Sequence, residues 1–232
     1  MKLCGLTGGV GMGKSTAAGF FNERGVPVVD TDQLAHELAQ PGQPAFAEIA
    51  GAFGPAVLSP DGALRRDELA RIVFADSVAR RRLEAILHPR IRERWMARVE
   101  SWRAGNPPLG MVVIPLLYET QAESHFDKII CVACTSAAQD QRLAARGWTP
   151  EQCRQRISAQ MPAGDKIARA DFVIWTDGTL ESHALQVETI LNRLRGPASA
   201  PDPMPATAPG SSPAPDQTCQ SAPGSQRDST TF

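Results

Sequence analysis

The sequence contains no apolar run that approaches the roughly 18 to 20 residues needed to cross a bilayer. Its apolar start, residues 1–6, is also too short for the apolar region of a secretory signal. These two absences exclude a helical membrane span and a recognisable export signal. We therefore expect a cytoplasmic protein with no membrane partner.

Net charge is almost absent as well, because 24 Lys and Arg residues face 25 Asp and Glu residues, which leaves a formal net charge of -1. Such a balance creates no overall field that attracts polyanions, so we expect no nucleic acid partner and only a local anion site. The 232 residues, 42% hydrophobic and 21% charged, are typical of a globular protein with one good-sized core. We expect a monomer.

Cysteines are few, odd in number and scattered, with five in the chain. Cys131 and Cys134 have the spacing of a metal or redox pair, yet they lie in an apolar run with no second Cys or His pair nearby. This pattern favours reduced thiols packed in a buried strand. We expect no disulfide framework and no Cys-bound metal.

The composition changes abruptly at Gly196. Eight prolines fall among Ala, Ser, Gly and Thr between there and residue 232, with hardly any large apolar side chain. Such a segment cannot bury enough surface to offset the entropy lost on ordering. The sequence therefore predicts a folded domain over residues 1–195 and a disordered tail over residues 196–232.

Within the first 195 residues, short β-rich runs alternate with longer helical ones, which is the pattern of an α/β fold with a parallel sheet between helices. The predicted strands are 2–6, 27–30, 111–115, 128–133 and 172–175. The predicted helices are 14–23, 31–39, 67–74, 77–103, 137–146, 150–160 and 180–195. Residues 41–106 show no strand signal, so we expect a helical substrate-binding insert there, between core segments 1–40 and 107–195.

Residues 8–15 match the pattern G-x-x-x-x-G-K-[ST] at every fixed position, with an apolar strand before them and a helical segment after them. Glycines let consecutive N–H groups turn toward phosphate oxygens, and the following helix adds the positive end of its dipole. We expect Lys14 to bridge the β- and γ-phosphates of ATP and the Ser15 hydroxyl to coordinate Mg²⁺. The predicted nucleotide-binding residues are Gly8, Gly9, Gly11, Met12, Gly13, Lys14, Ser15 and Thr16.

The rest of the sequence favours a P-loop kinase over other users of this loop. No Asn-Lys-x-Asp motif for reading guanine occurs, and the apolar strand before Pro115 ends without the Asp that motor and transport ATPases place there. Asp30 and Asp32 stand instead at the carboxyl end of the second strand, where a carboxylate can orient the proton of an attacking hydroxyl. From the residues alone, Asp30 can equally cap the next helix or support the magnesium ion, and either Asp can be the base.

A basic helix in the second half of the chain is a candidate lid. Arg142 and Arg146 lie four residues apart, so they share one helix face and can together cover the charge on a transferring phosphoryl group. A Gly-Trp-Thr-Pro break follows at residues 147–150, as expected of a hinge. We expect a lid over about residues 137–162, although a solvated basic face would show the same pattern.

These motifs, together with three others, resemble the dephospho-CoA kinase family from residue 3 to about residue 194. The additional segments are a helical signature in two parts and a Pro-Leu-Leu-aromatic-Glu motif. The resemblance is carried by residues 6–16, 29–32, 61–74, 83–91 and 114–119. Two positions depart from the family pattern, since Met12 replaces a usual Ser and Thr176 replaces a usual Asn.

The resemblance implies transfer of the γ-phosphoryl group of ATP to the ribose 3'-hydroxyl of dephospho-CoA, the last step of coenzyme A synthesis. It implies that Asp32 is the catalytic carboxylate, acting with Lys14, Arg142 and Arg146. His88 can either contact substrate or orient a helix kink at Pro89. The substrate-binding residues it implies are Asp32, Arg66, His88, Leu116, Tyr118 and Glu119, and further polar positions of the lid and core are Gln139, Gln160 and Lys166.

Two other functions remain open at this stage. Another P-loop metabolite kinase would share the phosphate loop and the lid but not the segments at 83–91 and 114–119. A nucleotide-binding regulator that hydrolyses slowly would show no turnover that depends on a small acceptor.

Overall fold

The structure is a computed structural model that describes residues 1–196. The predicted disordered tail, apart from Gly196, lies outside the described residues. Within them, no helix is both long enough and apolar enough to span a bilayer.

Five parallel strands form one sheet in the order β2-β3-β1-β4-β5. Each is short and rich in apolar or β-branched residues, and the three central strands are almost wholly buried, as expected of a parallel sheet covered on both faces. The bounds are β1 Lys2–Gly8, β2 Val28–Asp30, β3 Leu109–Val113, β4 Lys128–Ala133 and β5 Phe172–Trp175. All five predicted strands are confirmed, as is the α/β fold class.

Nine α-helices are described in residues 1–196, and two of them were not predicted individually. They are α1 Lys14–Glu23, α2 Thr31–Leu38, α3 Pro44–Phe53, α4 Arg66–Ala75, α5 Ser77–Ala104, α6 Ser136–Ala145, α7 Pro150–Ser158, α8 Ala163–Arg169 and α9 Leu180–Arg195. The two additional helices are α3 and α8. The first contains Gly51 and the second is only seven residues long, so neither gives a strong helical period.

Two apolar clusters cover the two faces of the sheet. On one face, Phe21 of α1 and Leu191 of α9 pack against β1, β3 and β4. On the other face, Leu34 of α2 and Trp95 of α5 pack with β3 residues and with Leu117 after β3. These clusters hold α1 and α9 against one face of the sheet and α2 and α5 against the other.

Residues 41–106 contain α3, α4 and α5, joined by short irregular segments. A third cluster, which includes Ile49, Val57 and Val73, packs these helices against one another. Helix α5 continues through Pro89 rather than ending there. The segment therefore has an apolar centre of its own, separate from the two sheet faces.

Cys131 and Cys134 are buried and free, within β4 and just after its end. Burial raises the pKa of the Cys131 thiol to about 11, which keeps it protonated and unreactive. Among the described residues, no group of three or more His, Cys, Asp or Glu side chains is placed to hold a metal ion. The core-packing interpretation of these two cysteines agrees with their positions.

Candidate active site

The glycine-rich loop connects the end of β1 to the first turn of α1. Gly8 has φ 145°, and a Cβ there would lie 2.2 Å from the Val132 carbonyl oxygen, so no larger residue fits. Gly11 and Gly13 have φ of 76° and 91°, a region that favours glycine. The backbone thus turns tightly before α1 starts at Lys14. The backbone of the predicted phosphate loop therefore adopts a conformation that requires glycine at Gly8 and favours it at Gly11 and Gly13.

Two glutamines hold the middle of this loop from the segment predicted as a lid. The Gln139 side-chain amide donates to the Val10 carbonyl oxygen at 2.7 Å, and the Val10 N–H donates to the Gln160 carbonyl oxygen Oε1 at 2.9 Å. Both polar groups of one loop residue are therefore engaged by α6 and by the residues after α7. Sequence reasoning marked both glutamines as polar family positions but gave neither this role.

Met12 adds a contact inside the loop. Its thioether sulfur lies 3.3 Å from the Gly9 nitrogen, which donates a weak hydrogen bond to it. The side chain is buried, at 4% exposure. Met12 therefore points into the protein, and its sulfur engages the Gly9 N–H of the loop.

Lys14 folds back over the loop. Its ammonium group donates to the Gly9 carbonyl oxygen at 3.0 Å. Burial lowers the pKa of Lys14 to about 8, an effect that Asp32 opposes and that Lys166 reinforces. The ammonium is thus held at the loop in a partly desolvated setting, where a bound anion would restore its charge.

Asp30 and Asp32 take different positions at the end of β2. The Asp30 carboxylate accepts a hydrogen bond from the Asp32 N–H at 2.9 Å and caps α2, as one of the open alternatives expected. Asp32 lies in the first turn of that helix. The protein atoms around it raise its pKa by desolvation, the Asp30 charge adds to this, and Lys14 opposes it. Solvent still reaches the Asp32 side chain, so this is a carboxylate at the edge of a cleft.

Strand register explains why these groups share one site. Leu6 of β1 and Asp30 of β2 both pair with Val113 of β3, which lies between them. The carboxyl ends of all three strands therefore meet at one edge, where parallel α/β sheets bind ligands.

A cleft of about 940 Å³ opens beside Asp32. Four of the predicted substrate-binding residues line it, on α2, on α5 and after β3. These are Asp32, His88, Leu116 and Glu119. One wall is formed by the face of α5 that carries His88.

Arg66 and Tyr118 do not line this cleft. The Arg66 guanidinium donates to the His36 carbonyl oxygen at 3.1 Å, and Tyr118 is buried with Arg169 stacked on its ring at 4.3 Å. Tyr118 therefore supports the cleft from the core side. A direct contact with a second substrate stays a prediction for both residues.

Glu119 lines the cleft and is also held in place by a buried lysine on its core side. Lys166 is fully buried, and its ammonium contacts the Glu119 carboxylate at 2.9 Å and the Pro115 carbonyl oxygen at 2.6 Å. The same Glu119 oxygen accepts a hydrogen bond from the Met161 N–H at 2.7 Å. One buried cation thus joins the loop after β3 to the chain that leaves α7.

The two candidate lid arginines differ in their contacts. Arg142 donates from both terminal nitrogens to Thr176, to its hydroxyl at 2.8 Å and to its backbone carbonyl. Arg146 is exposed beside the Trp148 ring, at 5.9 Å, and its charge acts on Lys14. A joint action on phosphate therefore stays a prediction, because Arg142 is engaged elsewhere in this structure.

Thr176 connects that arginine to the phosphate loop. Its hydroxyl donates to the Met12 carbonyl oxygen at 3.0 Å while it accepts from Arg142. The side chain is buried and lies 3.3 Å from the position that a Cβ on Gly13 would take. The residue that departs from the family pattern is thus an integral support of the loop.

The oxygen atoms near the loop suit a magnesium ion that is shared with a nucleotide. Ser15 is exposed at the start of α1, and the Asp30 and Asp32 carboxylates lie at the neighbouring strand end. Mg²⁺ prefers hard oxygen ligands and usually combines one or two protein groups with phosphates and waters. These residues fit such an ion.

The strand, glycine-rich loop and helix define a P-loop nucleotide-binding protein, and the cleft beside Asp32 gives it room for a second substrate. A family model described as dephospho-CoA kinase matches residues 2–182. The chain belongs to the dephospho-CoA kinase family.

Similar proteins extend over nearly the same range. A dephospho-CoA kinase of Anaeromyxobacter dehalogenans is 45% identical over 197 residues, which cover 84% of this chain and 93% of that protein. One of Thiobacillus denitrificans is 46% identical over 195 residues, 83% of this chain and 95% of that protein. The crystal structure of TT1252 from Thermus thermophilus matches with a TM-score of 0.71 and 33% identity, over 84% of this chain and 98% of that one. A Campylobacter jejuni dephospho-CoA kinase, at 23% identity and a TM-score of 0.60, shares the fold over 82% of this chain and 96% of that one.

Proposed function

We propose that this protein transfers the γ-phosphoryl group of ATP to the ribose 3'-hydroxyl of dephospho-CoA and so forms coenzyme A. The family membership and the extent of the match to relatives with that name support the choice of acceptor. One structural observation carries the chemistry. Asp32 lines the acceptor cleft, and its charge acts on Lys14 of the phosphate loop. A single carboxylate would therefore lie between the two substrates.

The phosphate loop binds and orients the donor. Backbone N–H groups of the loop and the amino-terminal end of α1 face the β- and γ-phosphates, and Lys14 moves from the Gly9 carbonyl oxygen to the phosphate oxygens. Bound anion raises the pKa of Lys14 again, so the lysine carries its full positive charge when the transferring group becomes more negative. The loop thus supplies electrostatic stabilisation at the reacting end of ATP.

Asp32 orients the acceptor. Its carboxylate accepts the proton of the attacking hydroxyl and directs the oxygen at the γ-phosphorus, in line with the leaving oxygen. The raised pKa of Asp32 makes the carboxylate a better proton acceptor. Asp30 keeps Asp32 in place by capping the same helix turn.

Ser15, with Asp32 and Asp30 nearby, would hold a magnesium ion. When bound, Mg²⁺ neutralises developing charge on the β- and γ-phosphate oxygens. Mg²⁺ is then the cofactor of the reaction and ATP the co-substrate.

Two further segments are proposed to close over the substrates and to bind the acceptor. We propose that residues 137–162 form the lid, that residues 41–106 form the acceptor lobe, and that both belong to a kinase domain over residues 1–195. Arg146 is placed to approach the phosphates, and Arg142 would have to leave Thr176 to do so. We further propose that the enzyme is a cytoplasmic monomer.

A coupled assay of ADP formation tests this function. The wild-type protein should turn over ATP much faster with dephospho-CoA than with any other acceptor, with adenosine measurable but far poorer and a panel of sugars giving little turnover. Lys14→Ala should remove most of this activity, whereas Lys2→Ala, far from the loop on β1, should retain it. Turnover with another acceptor alone would point to a different metabolite kinase, and ATP hydrolysis independent of any acceptor would point to a regulator.

A further inference from the structure

One wall of the acceptor cleft is a single face of α5. Its side chains recur at helical spacing from residue 80 to residue 96, a distance of about 24 Å along the axis. Those that line the cleft are Arg80, Glu84, His88, Arg92 and Met96, together with Glu93 and apolar neighbours. The wall is therefore long enough to contact an extended acceptor well beyond the group that reacts at Asp32.

Arg92 differs from the other arginine on this wall in its partners. Arg80 faces Glu84 on the next turn, at 3.8 Å. Among residues 1–196, no carboxylate forms an ion pair with Arg92. Its terminal nitrogen instead lies 2.7 Å from Nε2 of His125. Arg92 is thus the cleft-lining arginine whose charge is not already compensated in the described part of the chain.

The histidine positions Arg92 without neutralising it. A guanidinium group can only donate, so Nε2 of His125 must accept and the imidazole must be neutral. The His125 ring is fixed in turn by an edge-to-face contact with Trp95, with ring centroids 5.5 Å apart. Both His125 and Trp95 line the same cleft. The guanidinium is thereby oriented by a neutral, partly exposed imidazole, and its other nitrogens keep their donors for a ligand.

We infer that Arg92 is a specificity-determining residue that binds the diphosphate of the acceptor. This inference rests on the proposed function, since dephospho-CoA carries a diphosphate between its adenosine and its pantetheine arm. A guanidinium pairs with two phosphate oxygens at once, and a cleft that already holds Asp32 and Glu119 needs a cation to accept a dianionic bridge. The contact distinguishes dephospho-CoA from a bare nucleoside, although both offer the same 3'-hydroxyl.

The test compares Arg92→Met with Arg94→Met. Arg94 is an exposed residue of the same helix that does not line the cleft, so it controls for the loss of one positive charge from α5. Steady-state constants are measured for ATP, for dephospho-CoA and for adenosine as a truncated acceptor. Binding of dephospho-CoA without ATP is followed by calorimetry, and circular dichroism checks that each variant is folded.

For Arg92→Met we expect a rise of about ten- to a hundredfold in KM and Kd for dephospho-CoA, the loss expected for hydrogen bonds to a charged group. The KM for ATP and kcat/KM for adenosine should stay close to wild type. Arg92→Lys should recover part of the affinity, because it keeps the charge but not the paired donors. Arg94→Met should behave as wild type toward both acceptors.

Two results would overturn the inference while leaving the proposed function intact. One is an Arg92→Met protein whose KM for dephospho-CoA rises no more than that of Arg94→Met. The other is an equal loss with adenosine and with dephospho-CoA, which would make Arg92 a structural support of the cleft. Failure of the proposed function is separate, because the wild-type protein would then not phosphorylate dephospho-CoA at all.

Discussion

The fully buried Lys166 contacts the Glu119 carboxylate at 2.9 Å, behind the wall of the acceptor cleft. The same ammonium donates to the Pro115 carbonyl oxygen, so it fixes the whole loop from Pro115 to Glu119. Glu119 then accepts the Met161 N–H, which joins this loop to the chain after α7. The position of the cleft wall and that of the candidate lid therefore depend on one buried cation.

Lys166→Met should lower the free energy of unfolding by about 3 kcal/mol, because it leaves the Pro115 carbonyl and Glu119 without their cation. Lys128→Met is the matched control, since Lys128 pairs with Asp171 at 2.6 Å but on the surface. That variant should lose no more than about 1 kcal/mol. Urea unfolding of both variants gives the comparison, and equal losses would argue that burial of Lys166 adds nothing.

Thr176→Val should weaken both the fold and nucleotide binding. The valine keeps the shape but removes the hydroxyl that joins Met12 of the phosphate loop to Arg142. Leaving those buried groups unpaired should cost about 1 to 3 kcal/mol of unfolding free energy, with a lower affinity for ATP. Thr189→Val, on the exposed side of α9, removes a hydroxyl that bonds only within its own helix and should change neither. A Thr176→Val protein with unchanged ATP affinity would show that the loop does not need this support.

The pKa of Lys14 predicts how nucleotide affinity depends on pH. Burial lowers it to about 8 in the free protein, so the ammonium loses its proton as the pH rises through that value. ATP affinity measured by calorimetry from about pH 6 to pH 10 should fall above about pH 8, because neutral Lys14 no longer attracts phosphate.

Asp32→Asn tests whether Lys14 is the group that causes this pH dependence. The Asp32 charge raises the pKa of Lys14, so its removal should move the fall in ATP affinity to lower pH. A fall at the same pH in the variant would mean that the two side chains do not interact.

The sequence predicted the core of this site because its signals are local. The glycines and Lys14 stand within eight residues, and the alternation of apolar runs placed Asp32 just after the end of a strand. The strand order was not readable in the same way, since β3 lies between β1 and β2 although about 80 residues separate it from β2. Long-range order of this kind is set by packing across the whole core.

Contacts between distant polar residues were not predictable for the same reason. Gln160 reaches Val10 across 150 positions of sequence, and Arg142 reaches Thr176 across 34. A glutamine or arginine carries no local signal that names its partner. The family resemblance indicated that Gln160 and Arg142 belong to the site, but only the structure identifies the residues that they contact.

The most direct test of the account is the kinetic effect of Asp32→Asn, measured against ATP affinity in the same protein. We predict a fall in kcat of about a hundred- to ten-thousandfold, the range for loss of a general base, while the Kd for ATP at neutral pH changes only slightly. Glu37→Gln, an exposed change on the same helix outside the cleft, should leave both values unaltered. A variant that loses ATP affinity but keeps kcat would contradict the assignment of Asp32 as the group that directs the acceptor hydroxyl.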